Sequence, residues 1–144
     1  MISVTSAHVT STAAPEAFFA RWADTDTWPE WNTDTAWVRL DGPFATGSTG
    51  RLKPRGGPAV RFVLTSVIPG QELVDTSLLP GARLVFRHTV RADPSGGCTV
   101  RVDVRLDGPL ARVWNALLGK GFRTSTQPDL DRLAAAALEV GPAA

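Results

Sequence analysis

Between residues 35 and 109 the chain alternates with a period of two, and each run ends at a Pro/Gly signal. The runs are "TAWVRLDG", "TGSTGRLKP", "AVRFVLTSVIPG", "ELVDTSLLPG", "ARLVFRHTVRADPSGG" and "CTVRVDVRLDGP". Strands that recur at hairpin spacing, joined by loops as short as "PG" and "DPSGG", are expected to be antiparallel neighbours. "TGSTGRLKP" is the weakest of them, loosened by its glycines. An edge-type strand, "ISVTSAHVTS" over residues 2 to 11, precedes the series.

The helical signals lie on either side. In "AAPEAFFARWAD", Pro15 suits a first turn and Glu16 its positive end. Phe18, Phe19 and Trp22 then form one apolar stripe. A second short helix is expected from Asp24 to Trp31, interrupted by Pro29. After Gly108-Pro109 the spacing becomes helical to the end. Leu110, Val113, Trp114, Leu117 and Leu118 fall at i, i+3, i+4, i+7 and i+8, and Leu130, Leu133, Ala134, Ala137 and Leu138 repeat the pattern. Pro128 is expected to kink or break this helix. One helix cannot cover about seven strands by flat packing. The expectation is therefore an α+β fold: a curved antiparallel sheet of about seven strands gripping a long C-terminal helix, with two short helices after strand 1. Such a sheet leaves a cavity between its concave face and the helix.

Composition narrows the function classes. A chain of 144 residues is read as one domain, 1–144. Net charge is +1 and the arginines are dispersed, which argues against a nucleic-acid partner. No run of about 18 apolar residues is present, so no membrane span is expected. The N-terminus lacks the basic and apolar regions of a signal peptide. With one cysteine, Cys98, a reducing and cytoplasmic setting is the default. Cys98 is expected to be inert. No metal site is expected, because His8 has no second ligand spaced to join it. Phosphate-loop and G-x-S-x-G patterns are absent.

Hairpin arithmetic locates a candidate site. If Pro80-Gly81 is a two-residue loop, Ser77 faces Leu84, Asp75 faces Phe86 and Leu73 faces His88. If Ala92 pairs with Cys98, His88 pairs with Val102. Leu73, Asp75, Ser77, Leu84, Phe86, His88, Val102 and Val104 then share the concave face, while Arg87, Arg91, Arg101 and Arg105 meet solvent. Phe62 and Leu64 are expected inward on the preceding strand, whose register over residues 59–68 stays open. Asp75 and His88 are thus two polar groups on an apolar face. A buried carboxylate must be paired or hydrogen-bonded. Asp75 could hold the His88 imidazole in one tautomer, making His88 a general acid/base. The competing reading is a hydrogen-bonded wall histidine.

On the last helix, Trp114, Leu117, Leu118, Gly121, Phe122 and Ser125 form one stripe. Gly121 either makes room for a ligand or permits close packing. Trp114 and Phe122 are expected to line or close the cavity mouth. Three of the five tryptophans lie in "DTDTWPEWNTDTAW". Trp28 and Trp31 close one end of the grip, and either could also roof the pocket and stack on a planar ligand. Trp37 begins the next strand.

The order of elements, with "APEAFFARWADTDTWPEWN", "LDGPFATGSTGRL", "FVLTSVIPGQELV", "LVFRHTV" and "GCTVRVDVRLDGPLARVWNALLGKGFR", resembles the helix-grip superfamily. That superfamily includes START lipid-transfer domains, the birch-pollen-allergen family and bacterial polyketide cyclase/dehydratase-like (SRPBCC) proteins. Trp28, Pro29, Trp31 and Asn32 match a W-P-x-W-N-type signature, and Gly108 to Leu110 match the Gly-Pro-Leu that opens the last helix. The resemblance implies a small hydrophobic ligand (polyketide-like, lipid or aromatic), no cofactor, and a monomer or homodimer. It is specific for fold and weak for activity. The alternatives are a cyclase/dehydratase-type enzyme using His88 with Asp75, and a co-chaperone-like interaction domain. A filled interior would favour the last.

Overall fold

The computed structural model describes residues 1–139; residues 140–144 of the expected 1–144 domain lie outside the described residues. Strand β1 (Ile2–Ser11) is followed by α1 (Pro15–Ala23), a 3-10 turn (Thr25–Thr27) and α2 (Trp28–Trp31). Six strands follow: β2 (Thr35–Leu40), β3 (Thr49–Pro54), β4 (Val60–Ile68), β5 (Glu72–Leu79), β6 (Ala82–Ala92) and β7 (Cys98–Asp107). Helix α3 (Ala111–Glu139) closes the described chain. The seven strands form one antiparallel sheet in the order β1-β7-β6-β5-β4-β3-β2. Strand β1 occupies one edge, as its sequence implied. Among the described residues, no helix is long and apolar enough to cross a membrane.

The two hairpins read from the sequence have the expected register. Leu79 pairs with Ala82, Ser77 with Leu84, Asp75 with Phe86 and Leu73 with His88. Ala92 pairs with Cys98 and His88 with Val102. Tight turns make this possible. Gly81 takes a φ of 70° in the two-residue β5–β6 loop, a conformation open to glycine at no steric cost. Gly97, at φ 72°, also lies so close to the Ser11 carbonyl that a Cβ there would collide with it. Strand β4 pairs Phe62 with Ser77 and Leu64 with Asp75, then shifts register between Leu64 and Ser66. That irregularity is why alternation alone left the register of residues 59–68 open.

One face of the sheet is apolar except for Asp75, Ser77 and His88. Phe62, Leu64, Leu73, Val100, Val104 and Leu106 are all essentially inaccessible, and Phe18 and Trp22 of α1 are fully buried with them. Arg87, Arg91, Arg101 and Arg105 face solvent, where Arg87 pairs with Glu72 at 2.8 Å.

The two prolines expected to disturb helices break neither of them. Pro128 sits inside α3, which runs on to Glu139. A proline there deprives the Thr124 carbonyl of its partner without ending the helix, since Leu130, Leu133, Ala134 and Ala137 bury the last turns. Pro29 does not interrupt a helix but occupies the first turn of α2, where its missing N–H costs nothing.

Candidate functional site

Between the concave face and α3 lies a cavity of about 230 Å³. The sheet contributes Asp75, Ser77, Leu84, Phe86, His88 and Val102 to its wall, all expected from the hairpin arithmetic. Trp28 and Trp31 of α2 lie on it as well, with Leu118 and Phe122 of α3 opposite. Trp28 is fixed from two sides. Its indole N–H donates to the Trp22 carbonyl at 3.0 Å, and its ring stacks on Phe62 at 6.4 Å between centroids. Trp31 lies 5.8 Å from it, ring to ring. Phe86 and Phe122 meet edge to face at 5.5 Å, joining the sheet wall to α3.

Other residues expected on this wall lie elsewhere. Phe62, Leu64, Leu73 and Val104 point inward but are packed into the continuous core rather than facing the cavity, because Phe18, Trp22 and Trp28 join them in that cluster. Leu117 is 68% exposed. Gly121 is exposed and does not line the cavity, so it makes no room for a ligand there. Trp114 donates its indole N–H to the Pro80 carbonyl at 2.8 Å and braces the β5–β6 turn instead of the cavity mouth. The physical reason is a rotation of α3 about its axis. Its inward line runs through Leu118, Phe122, Ser125, Thr126, Asp129, Leu130 and Leu133. Leu118, Phe122 and Ser125 belong to both this line and the expected stripe, but Thr126 and Asp129 are polar, so hydrophobic periodicity centred the stripe on the neighbouring face. Asn32, Asp34 and Thr35 from the α2–β2 connection also reach the cavity, as do Leu52, Pro54, Val60 and Leu79. Sequence reasoning missed all seven. The match of Trp28, Pro29, Trp31 and Asn32 to the signature was the one signal near them.

Asp75 and His88 are brought together, but not in the expected roles. His88 Nδ1 donates to the Leu73 carbonyl at 3.1 Å. A carbonyl can only accept, so Nδ1 carries the proton and Nε2 keeps its lone pair. The Asp75 Oδ1 atom is 3.7 Å from Nδ1, beyond hydrogen-bond length, and is buried with no partner. The backbone carbonyl, not the carboxylate, holds the imidazole. Trp22 packs on the ring at 5.6 Å and Phe86 lies nearly parallel to it at 6.5 Å.

Burial dominates both titrations. It pushes the Asp75 carboxyl up to about 7, opposed by a hydrogen bond from its own backbone amide. It pushes the His88 imidazole down to about 4, opposed by the bond to Leu73. At neutral pH His88 is therefore uncharged, while Asp75 sits near its midpoint. Of the two, Asp75 is the group able to exchange a proton near neutrality. Cys98 is buried, and burial together with Asp93 and Glu16 holds its thiol above the usual range.

Solved structures share this architecture at low sequence identity. Protein MLL2253 from Mesorhizobium loti superposes with a TM-score of 0.73 at 15% identity, covering 96% of this chain and 98% of that one. Ara h 8.0201 gives 0.68 at 16% identity over 94% and 97%. The di-domain ARO/CYC StfQ from the steffimycin biosynthetic pathway gives 0.73 at 15% identity, covering 96% of this chain and 52% of that one. These likenesses show the helix-grip fold. No match was found among curated proteins. The sequence model of one family, described as polyketide cyclase / dehydrase and lipid transport, matches residues 1–138. With nearly the whole chain matched and the fold in agreement, the protein belongs to the polyketide cyclase / dehydrase and lipid transport family.

Proposed function

We propose that this protein binds a small hydrophobic molecule in the cavity between the sheet and α3. The observation that carries the reading is the cavity itself: about 230 Å³, walled mainly by aliphatic and aromatic side chains, with a few polar groups among them. The family description, which spans polyketide chemistry and lipid transport, supports a ligand of that kind. The protein-interaction alternative called for a filled interior, and the cavity counts against it.

An uncharged apolar fluorophore should bind saturably and be displaced by naphthalene. Because His88 is held by Leu73 rather than required by the apolar wall, His88→Ala should leave the affinity within about threefold. Fluorescence titration of both proteins checks this, and an absence of saturable binding to the unaltered protein would remove the reading.

One observation favours a second reading, proton transfer to a bound polyketide-like or aromatic substrate: Asp75 titrates near neutrality at the cavity wall. In that reading His88 supplies an uncharged acceptor at Nε2 and Asp75 is the proton donor or acceptor. Asp75→Asn would then abolish turnover while fluorophore binding persists.

A further inference from the structure

The charge of the cavity wall restricts which hydrophobic molecules fit it. Among the described residues lining the cavity there is no lysine or arginine, whereas Asp34, Asp75 and Asp129 all contribute. Asp129 is half-buried. Burial raises its carboxyl, and the neighbouring Asp34 charge adds to that rise. Its cation, Arg132 at 2.7 Å, does not line the cavity. Deeper on the wall, Asp75 is 5% exposed and its Oδ1 has no hydrogen-bond partner. The Asp75 carboxyl lines the cavity and is short of donors, so a ligand donor that reaches it adds a hydrogen bond the protein does not supply. His88 offers a second acceptor nearby, the lone pair of Nε2, because Nδ1 is committed to Leu73.

Resting on the binding reading above, we propose that the cavity selects an aromatic molecule bearing a hydrogen-bond donor, a hydroxyl or an amine, directed at Asp75, and that it rejects carboxylates. The aromatic body is matched by Trp28, Trp31, Phe86 and Phe122 on the wall. A hydroxyl serves Asp75 in either protonation state, since it can donate to the carboxylate or accept from the acid. An amine serves the ionised state by pairing with it. A carboxylate ligand has no proton to give. On a wall that carries Asp34, Asp75 and Asp129 it meets three acidic side chains and no cation.

The test compares naphthalene, naphthol, naphthylmethylamine and naphthoate by calorimetric titration at mildly alkaline pH. These probes share one aromatic body. The expected result is that naphthol and the amine bind more tightly than naphthalene, and naphthoate at least about tenfold more weakly than naphthol. Asp75→Asn keeps the shape and removes the charge, so it should close the naphthol–naphthoate gap to about threefold. A melting curve confirms that this variant is folded. Naphthoate binding as tightly as naphthol to the unaltered protein, or an unchanged gap in Asp75→Asn, would overturn the selectivity while leaving the binding reading intact. Failure of naphthalene itself to bind would remove both.

Discussion

Trp22→Ala is expected to lower the unfolding free energy by about 3–5 kcal/mol, the range for emptying a large aromatic site in a packed core. The residue is fully buried. It is where α1 meets the sheet, edge-on to Phe19 at 6.4 Å and tilted over His88 at 5.6 Å. Its carbonyl also receives the Trp28 indole N–H, so α1 and the α2 segment move together when it shifts. Alanine leaves a void beside the imidazole that the β6 backbone cannot close, because β6 is held by β5 on one side and β7 on the other. Trp22→Phe should cost less than Trp22→Ala. It keeps a ring and removes an indole N–H that is buried without a partner. Urea unfolding midpoints at constant slope measure both, and a loss below about 1 kcal/mol in the alanine variant would contradict the packing described here.

The second large effect concerns pH. Asp75 binds its proton more tightly folded, with a pKa of about 7, than unfolded, with a value of 3.8. Between those values the folded state carries the extra proton, so this group makes stability fall as pH rises from about 4 to 7. His88 behaves oppositely. Its folded pKa of about 4 lies below the unfolded 6.5, so in that interval the unfolded state carries the extra proton and stability rises with pH. The contributions are on the order of 4 kcal/mol for Asp75 and 3 kcal/mol for His88, and over most of the window they oppose each other. The unaltered protein should therefore show a shallow dependence between about pH 4 and 6.5 from this pair. Single substitutions unmask the two slopes. Asp75→Asn leaves the His88 contribution, and stability should climb with pH. His88→Gln leaves the Asp75 contribution, and stability should decline as pH rises toward 7. Denaturant titrations across the window read the sign directly; slopes of the same sign in the two variants would show that burial does not govern this pair.

The parts of this site that were legible in the sequence are those fixed by tight turns. A two-residue Pro-Gly loop leaves one register for β5 and β6, and a period of two then assigns every side chain to a face. Loop length and alternation alone suffice to put Asp75, Ser77, Leu84, Phe86, His88 and Val102 on the concave side. The same alternation gave Phe62 and Leu64 their faces, but not their packing. Whether an inward residue lines a cavity or fills the core depends on Trp22, Trp28 and their neighbours from distant elements. The rotation of α3 was illegible for a different reason. Its inner line carries Thr126 and Asp129, and a polar residue facing a cavity has the same sequence signature as one facing water. Leu117 was misplaced because an exposed leucine is equally silent. The His88 anchor was missed because a backbone carbonyl, that of Leu73, leaves no mark on side-chain pattern.

The central claim is that the space under α3 is a ligand site, and filling it tests the claim most directly. Val102 lies on the cavity wall opposite His88 in the β6–β7 pairing. In Val102→Phe the larger ring takes the place of a ligand. Calorimetric titration of naphthalene into the unaltered protein should give saturable binding at one site per chain. In Val102→Phe, with a melting curve showing that the fold persists, that binding should be lost. Undiminished binding to the folded Val102→Phe protein would contradict the account, as it would place the ligand somewhere other than this cavity.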